Sequence, residues 1–132
     1  MMQRIPSIDD AGTINPWVEI SPAVRQALAQ HEPVVAFETT VLSFGLPYPS
    51  NLLVGRECEQ IAHAAESIPA TLGLLDGKVT VGISDEQMQH FCAEGAEITK
   101  VNLQNFAAAI ARPLSLALTD IDDCLLAGGS GI

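Results

Sequence analysis

Glu38 stands where a short apolar run, Pro33-Val34-Val35-Ala36-Phe37, gives way to a loop punctuated by Gly45, Pro47 and Pro49. In open α/β sheets, ligands gather at the carboxyl ends of strands. A carboxylate placed there beside Phe37 is expected to be partly desolvated, which suits proton transfer. The same carboxylate could simply be solvated, or accept hydrogen bonds from the backbone of its own loop. Thr39, Thr40 and Ser43 could donate hydrogen bonds to phosphate or sugar oxygens, or to their own backbone. Lys100 lies at the end of an apolar-flanked stretch, 98–101, that reads as a strand. It could ion-pair with a ligand phosphate or extend its stem along apolar surface into water. Lys78, the other lysine, follows a turn and is expected to be solvated.

Other chemistries lack their spacing. His31, His63 and His90 form no metal-ligand pattern with each other or with Cys58, Cys92 and Cys124. His90 and Cys92 are two apart on an expected helix, where such positions point away from each other. The acids Asp120, Asp122 and Asp123 read as ordinary helix capping. Gly128-Gly129-Ser130-Gly131 would need a following helix to cradle a phosphate. No Ser-His-Asp or Cys-His arrangement can be argued, and no residue is assigned to a metal.

The elements that must position these groups alternate between helix and strand. Residues 1–20 read as an irregular arm. Ser21-Pro22 opens a helix, with Ser as cap and Pro at the first helical position. Residues 33–37 read as a strand buried on both faces. The loop 42–51 leads into a helix near Ser50, whose apolar stripe is expected at Val54, Cys58, Ile61 and Ala65. Residues 70–75 and 78–83 read as a β-hairpin about Asp76-Gly77, a pair that tolerates the positive φ of a tight turn. Ser84-x-x-Gln87 is a capping box, and Gly95 ends that helix. Residues 98–101 read as a strand and 103–111 as a helix stopped by Pro113. Residues 114–118 read as a further strand and 120–126 as a short helix. This is an α/β fold, a central sheet flanked by helices with one antiparallel hairpin at about 70–83. Residues 21–132 form a single domain.

Composition bounds the partners. The 132 residues carry 6 basic and 16 acidic side chains, a formal net charge of −10, and 48% are hydrophobic. Such a chain folds around a core and repels nucleic acid and anionic membrane surfaces. No apolar run is long enough to span a membrane. Three unpaired cysteines and an amino terminus without an apolar signal core point to the reducing cytoplasm.

Several strings resemble the pseudouridine-5'-phosphate glycosidase family, also called the indigoidine synthase A-like family. ISPAVRQAL (20–28) and EPVVAFETTVLSFGLPYPSN (32–51) look like its opening helix, strand, Glu-Ser/Thr-Thr motif and Gly-Met/Leu-Pro loop. IPATLGLLDGKVTVGISDEQM (68–88) and ITKVN (98–102) are similar to segments that follow. The resemblance implies an α/β fold, a trimeric assembly and reversible cleavage of the C–C glycosidic bond of pseudouridine 5'-phosphate. It implies Mn²⁺ as cofactor and a sugar phosphate or nucleotide as small-molecule partner. By motif position, Glu38 matches the proton donor, and Lys100 a lysine that contacts the sugar phosphate. Thr39 and Thr40 fall in the same motif and are assigned to substrate binding.

The chain departs from the pattern where Phe44 replaces a histidine, and where Leu103-Gln104-Asn105 replaces Arg-Arg-Asp. The family's imine-forming lysine and metal-ligating aspartate are expected in a region beyond residue 132, so the chain reads as shortened. Two functions therefore stand: a glycosidase homologue impaired or inactive as this short chain, and a non-catalytic binding or interaction protein that keeps the first half of the fold.

Overall fold

The computed structural model describes residues 16–101, 104–111 and 116–118. Strand β1 (Val18–Ile20) leads into helix α1 (Pro22–Ala29), followed by β2 (Val34–Phe37). A π-helical turn at Val41–Gly45 precedes α2 (Ser50–Ala64). Then come β3 (Ile68–Leu75), β4 (Lys78–Val81), α3 (Asp85–Glu94), β5 (Thr99–Val101), α4 (Phe106–Ile110) and β6 (Leu116–Leu118).

Local chemistry explains most of these boundaries. Val24 N donates to the Ser21 hydroxyl at 3.3 Å, capping α1. Asp76 and Gly77 have φ of 50° and 75°, the signs that a tight two-residue turn between β3 and β4 requires. At α3, Gln87 N donates to Ser84 Oγ at 3.2 Å and Ser84 N donates to Gln87 Oε1 at 2.7 Å, so the capping box forms. Gly95 closes that helix with φ of 43°.

The six strands form one sheet around β3, with the path β1-β4-β3-β6-β5 and β2 also paired to β3. β3 and β4 are antiparallel, with Leu72 opposite Val81 and Leu74 opposite Val79. β2 runs parallel to the first half of β3, with Phe37 opposite Thr71. β6 is antiparallel to β3 at Leu74, and β5 is parallel to β6. Backbone groups along a strand point alternately to its two edges. Thr71 O accepts from Gly82 N on the β4 edge, and Ile68 N donates to Pro33 O on the β2 edge. Even-numbered residues of β3 thus face one edge, along which β2 and then β6 pair. β2 runs parallel to β3 and β6 antiparallel to it, so these two strands run in opposite directions.

The two faces of β3 separate two cores. Ala70, Leu72 and Leu74 pack with Val24, Val79, Val81 and Val101. On the other side, Phe91, Met88, Leu42, Leu52 and Ile83 form a second cluster between the π-turn, α2 and α3.

Some expectations are corrected. Val18–Ile20, inside the expected irregular arm, pairs in parallel with Val79–Val81. The strand at 33–37 forms as β2 but is not buried on both faces: Val34 and Ala36 pack against the first core, while Val35, on the opposite face, is 37% exposed. The buried side of α2 carries Asn51, Leu52, Gly55 and Ala62, and Ile61 is 62% exposed. Residues 1–15, the expected helix at 120–126 with its acids, Cys124 and the glycine-rich tail lie outside the described residues.

Candidate functional site

The end of β2 places Glu38 half-buried, directly before a segment that turns inward: Thr39 is fully buried and Thr40 half-buried. Ser43 N donates to Thr39 O at 3.1 Å, tying the motif to the π-turn. Ser43 itself is 6% exposed and its hydroxyl lies 3.4 Å from the Phe91 carbonyl, which it meets as donor. Ser43 thus ties the π-turn to α3 rather than to its own loop backbone.

Asn51, which no hydropathy pattern singles out, is 2% exposed and anchors this turn. Its Nδ2 donates to Leu42 O at 2.6 Å and to Cys92 O at 2.9 Å, while its Oδ1 accepts from Leu52 N at 2.8 Å. The π-turn, the start of α2 and the end of α3 are thereby held by one side chain. The signal for it in the sequence is an asparagine at the start of an amphipathic helix, indistinguishable there from a helix cap.

Phe37 and Thr71 sit opposite each other in the parallel β2–β3 pair and therefore share a sheet face. On that face lies a cavity of about 120 Å³ lined by Phe37, Glu38, Val41, Leu42, Val54, Gly55, Cys58, Thr71 and Met88. Thr71 Oγ1 donates to Glu59 Oε1 at 2.7 Å, so its hydroxyl is occupied by α2. The cavity is therefore apolar apart from Glu38. Gly55 permits the close approach of α2 here: a Cβ built on it would come within 2.7 Å of Leu42 Cδ2 and 2.9 Å of Met88 Sδ.

Phe44 lies on a separate groove of about 500 Å³, with Leu46, Tyr48, Asn51 and Glu94 among its walls. Lys100 lies in β5 in register with Ala117 of β6. β5 pairs with β6 and β2 with β3, so Lys100 and Glu38 belong to strands that do not pair with each other.

Elsewhere an ion pair joins α2 to α3. Arg56 makes a two-pronged contact with Asp85, both bonds 2.7 Å, and its guanidinium holds the Asp85 carboxyl below the usual carboxylate range. Burial pushes the Cys92 thiol up to about 11, which leaves it protonated and unreactive at neutral pH. Among the described residues, no three His, Cys, Asp or Glu side chains gather as a metal site, so these residues by themselves do not fit a divalent cation. No described helix is long and apolar enough to cross a membrane.

The family profile described as indigoidine synthase A like protein matches residues 23–132. A pseudouridine-5'-phosphate glycosidase of Symbiobacterium thermophilum is 38% identical over 112 residues, covering 85% of this chain and 36% of its own length. The glycosidase of the same name from Thermosipho africanus is 41% identical over 113 residues, covering 86% and 38%. This chain thus spans little more than a third of the curated relatives it matches. Among solved structures, prealnumycin C-glycosynthase in complex with ribulose 5-phosphate superposes with a TM-score of 0.72 at 26% identity, covering 86% of this chain and 37% of that one. An indigoidine synthase A-like protein of Thermotoga maritima gives a TM-score of 0.65 at 27% identity, covering 77% and 32%.

Proposed function

Because the chain belongs to the indigoidine synthase A like protein family, we propose that it carries the Glu38 portion of a site for C–C glycosidic cleavage of pseudouridine 5'-phosphate, and that these 132 residues alone turn it over poorly or not at all. The observation that carries the reading is the position of Glu38: the carboxyl end of β2, on the rim of an apolar cavity, in a chain whose relatives bear that activity as their name.

In this reading, Glu38 holds the proton that the departing base receives at carbon as the bond to the sugar breaks. Thr39 and Thr40 shape the loop and contribute to sugar-phosphate binding, and Lys100 supplies positive charge toward the phosphate. With water supplying the hydroxyl at the sugar's anomeric carbon, the products are uracil and ribose 5-phosphate. An imine between a lysine and the opened sugar would act as an electron sink, but the sequence holds no lysine after Lys100. Mn²⁺ belongs to the same proposal, with no ligand assigned among the described residues. General acid help is worth roughly 10²–10⁴-fold, and loss of a covalent group together with a metal forfeits more than that. A single α/β domain over residues 21–132, cytoplasmic residence and assembly with further copies complete the reading.

The replacement of the family's histidine by Phe44 favours a second reading, a non-catalytic binding or interaction protein retaining the first half of the fold. The deciding experiment is uracil release by the purified chain with added Mn²⁺, beside Glu38→Ala and Lys100→Ala. Release that disappears in Glu38→Ala would overturn the claim of poor turnover while supporting the site. No release, with ribose 5-phosphate binding lost in Lys100→Ala, supports the proposal. The absence of both release and ribose 5-phosphate binding would overturn the proposal and favour the interaction protein.

A further inference from the structure

We propose that the groove between the π-turn and the end of α3 binds a small organic cation, an alkylated ammonium, with Phe44 and Tyr48 as its aromatic walls and Glu94 as its counter-charge. The inference does not depend on the assignment of Glu38, which lies on a different cavity.

The groove holds about 500 Å³, within the range of roughly 300–1,000 Å³ that small-molecule sites occupy. Phe44, Leu46 and Tyr48 line it and are 42%, 44% and 50% exposed. Three large apolar side chains facing water in one groove mark a contact surface. The backbone beneath them is fastened. Asn51 N donates to Pro47 O at 3.1 Å and Leu53 N to Pro49 O at 3.2 Å, which ties the loop carrying Tyr48 to the start of α2. The Asn51 amide ties down the π-turn that carries Phe44. Little ordering of the loop is then left for a ligand to impose.

Charge sets the class of ligand. The carboxyl end of a helix carries partial negative charge and favours a cation. Helix α3 obeys this rule at its start, with Asp85 and Glu86 in the first turn. It breaks the rule at its end, where Glu94 is the last residue and no basic side chain stands in the last turn. A local rule broken in this way is a common mark of a functional site. Among the described residues, no Lys, Arg or His lines the groove. Arg56, further along α2, spends its charge on Asp85. The polar groups of the floor are also spent: the Asn51 amide donates to Leu42 O and Cys92 O, and the Ser43 hydroxyl to Phe91 O. The floor thus offers an anion such as phosphate no spare amide or hydroxyl. A cation needs none, because the faces of Phe44 and Tyr48 attract it through their ring quadrupoles and Glu94 attracts it by charge. One carboxylate among apolar walls gives a hard metal ion too few oxygens, whereas the methyl groups of an alkylated ammonium pack against the rings.

The test uses choline and its neutral carbon analogue, 3,3-dimethylbutanol, as probes, with binding followed by amide chemical-shift changes on the 132-residue chain at low ionic strength. The expected result is saturable binding of choline in the millimolar range, as suits a ligand of so few atoms. Shifts should centre on Phe44, Gly45, Tyr48 and Glu94. The neutral alcohol should bind about fivefold more weakly, since it lacks the attraction to the rings and to the carboxylate. Tyr48→Leu should weaken choline about threefold to fivefold, and Tyr48→Phe, which keeps the ring, should not. Glu94→Gln should weaken choline about threefold and leave the alcohol within about twofold. Tyr48 and Glu94 are exposed, so these variants leave the core untouched. No shifts at these residues, or equal affinity for choline and the alcohol, would overturn the site. A trimethyl-lysine peptide bound more than about tenfold tighter than choline would overturn the assignment to a small molecule, since the peptide chain would then supply most of the recognition.

Discussion

The Asn51 side-chain amide donates to the Leu42 carbonyl at 2.6 Å, and this bond fixes the π-turn that follows Glu38 to the first turn of α2. The same nitrogen reaches Cys92 O, so two buried carbonyls depend on one residue. An unsatisfied buried carbonyl costs about 1–3 kcal/mol. Asn51→Ala should therefore destabilise the chain by about 2–4 kcal/mol in urea unfolding. Asn51→Asp should do no better, since an ionised carboxylate cannot donate. A loss below about 0.5 kcal/mol in Asn51→Ala would mean that the turn holds without it.

Gly73 leaves room for the ring of Phe91. A Cβ on Gly73 would lie 2.7 Å from Phe91 Cζ and 2.8 Å from Cε2, and the ring, fully buried, has little room to retreat. Overpacking of this kind costs roughly 1–3 kcal/mol. Gly73→Ala should lower thermal stability, and the double variant Gly73→Ala with Phe91→Leu should recover part of the loss relative to additivity. Strict additivity would show that the two positions do not press on each other.

Where sequence and structure agree, the information is local. Asp76-Gly77 specifies its turn, and Ser84 with Gln87 specifies the start of α3, because each motif satisfies its own backbone. β1 escapes detection because Val18–Ile20 gains its order from β4, some sixty residues away. Ile61 reads as core by spacing yet lies outside, since Asn51 and Gly55 hold the inner side of α2: one is satisfied by carbonyls, the other admits close packing. Neither registers as hydrophobic. At the site, the place of Glu38 at a strand end is legible from the run before it. The cavity beside it is not, because Val54, Cys58, Thr71 and Met88 come from three other elements.

Glu66 follows the carboxyl end of α2 with φ of 55°, a left-handed conformation that glycine adopts without strain. Relief of that strain is worth roughly 1–2 kcal/mol, against roughly 0.5–1 kcal/mol for the added freedom of glycine in the unfolded chain. Glu66→Gly should thus stabilise by about 0.5–1 kcal/mol, read as a higher urea midpoint at unchanged slope. Glu66→Ala should not, since alanine keeps the steric penalty. Equal effects from both would attribute the change to removal of charge.

Burial of Cys92 makes stability depend on pH in the alkaline range. The thiol titrates near 9.0 when free and is pushed up to about 11 in the folded chain, chiefly by loss of solvent and partly offset by Arg56. The folded state therefore keeps a proton that the unfolded state releases. The sign follows: the contribution is fully present below pH 9 and is lost as pH rises through 11. At about 1.4 kcal/mol per pH interval, the loss by pH 11 is roughly 2–3 kcal/mol. Lysine and tyrosine titrate in the same range, so the measurement is the difference between the native chain and Cys92→Ala. The variant should start less stable at pH 7, from the lost packing in the Phe91 cluster, and should fall more slowly between pH 9 and 11. Parallel pH profiles would show that the thiolate forms as easily in the folded state as outside it.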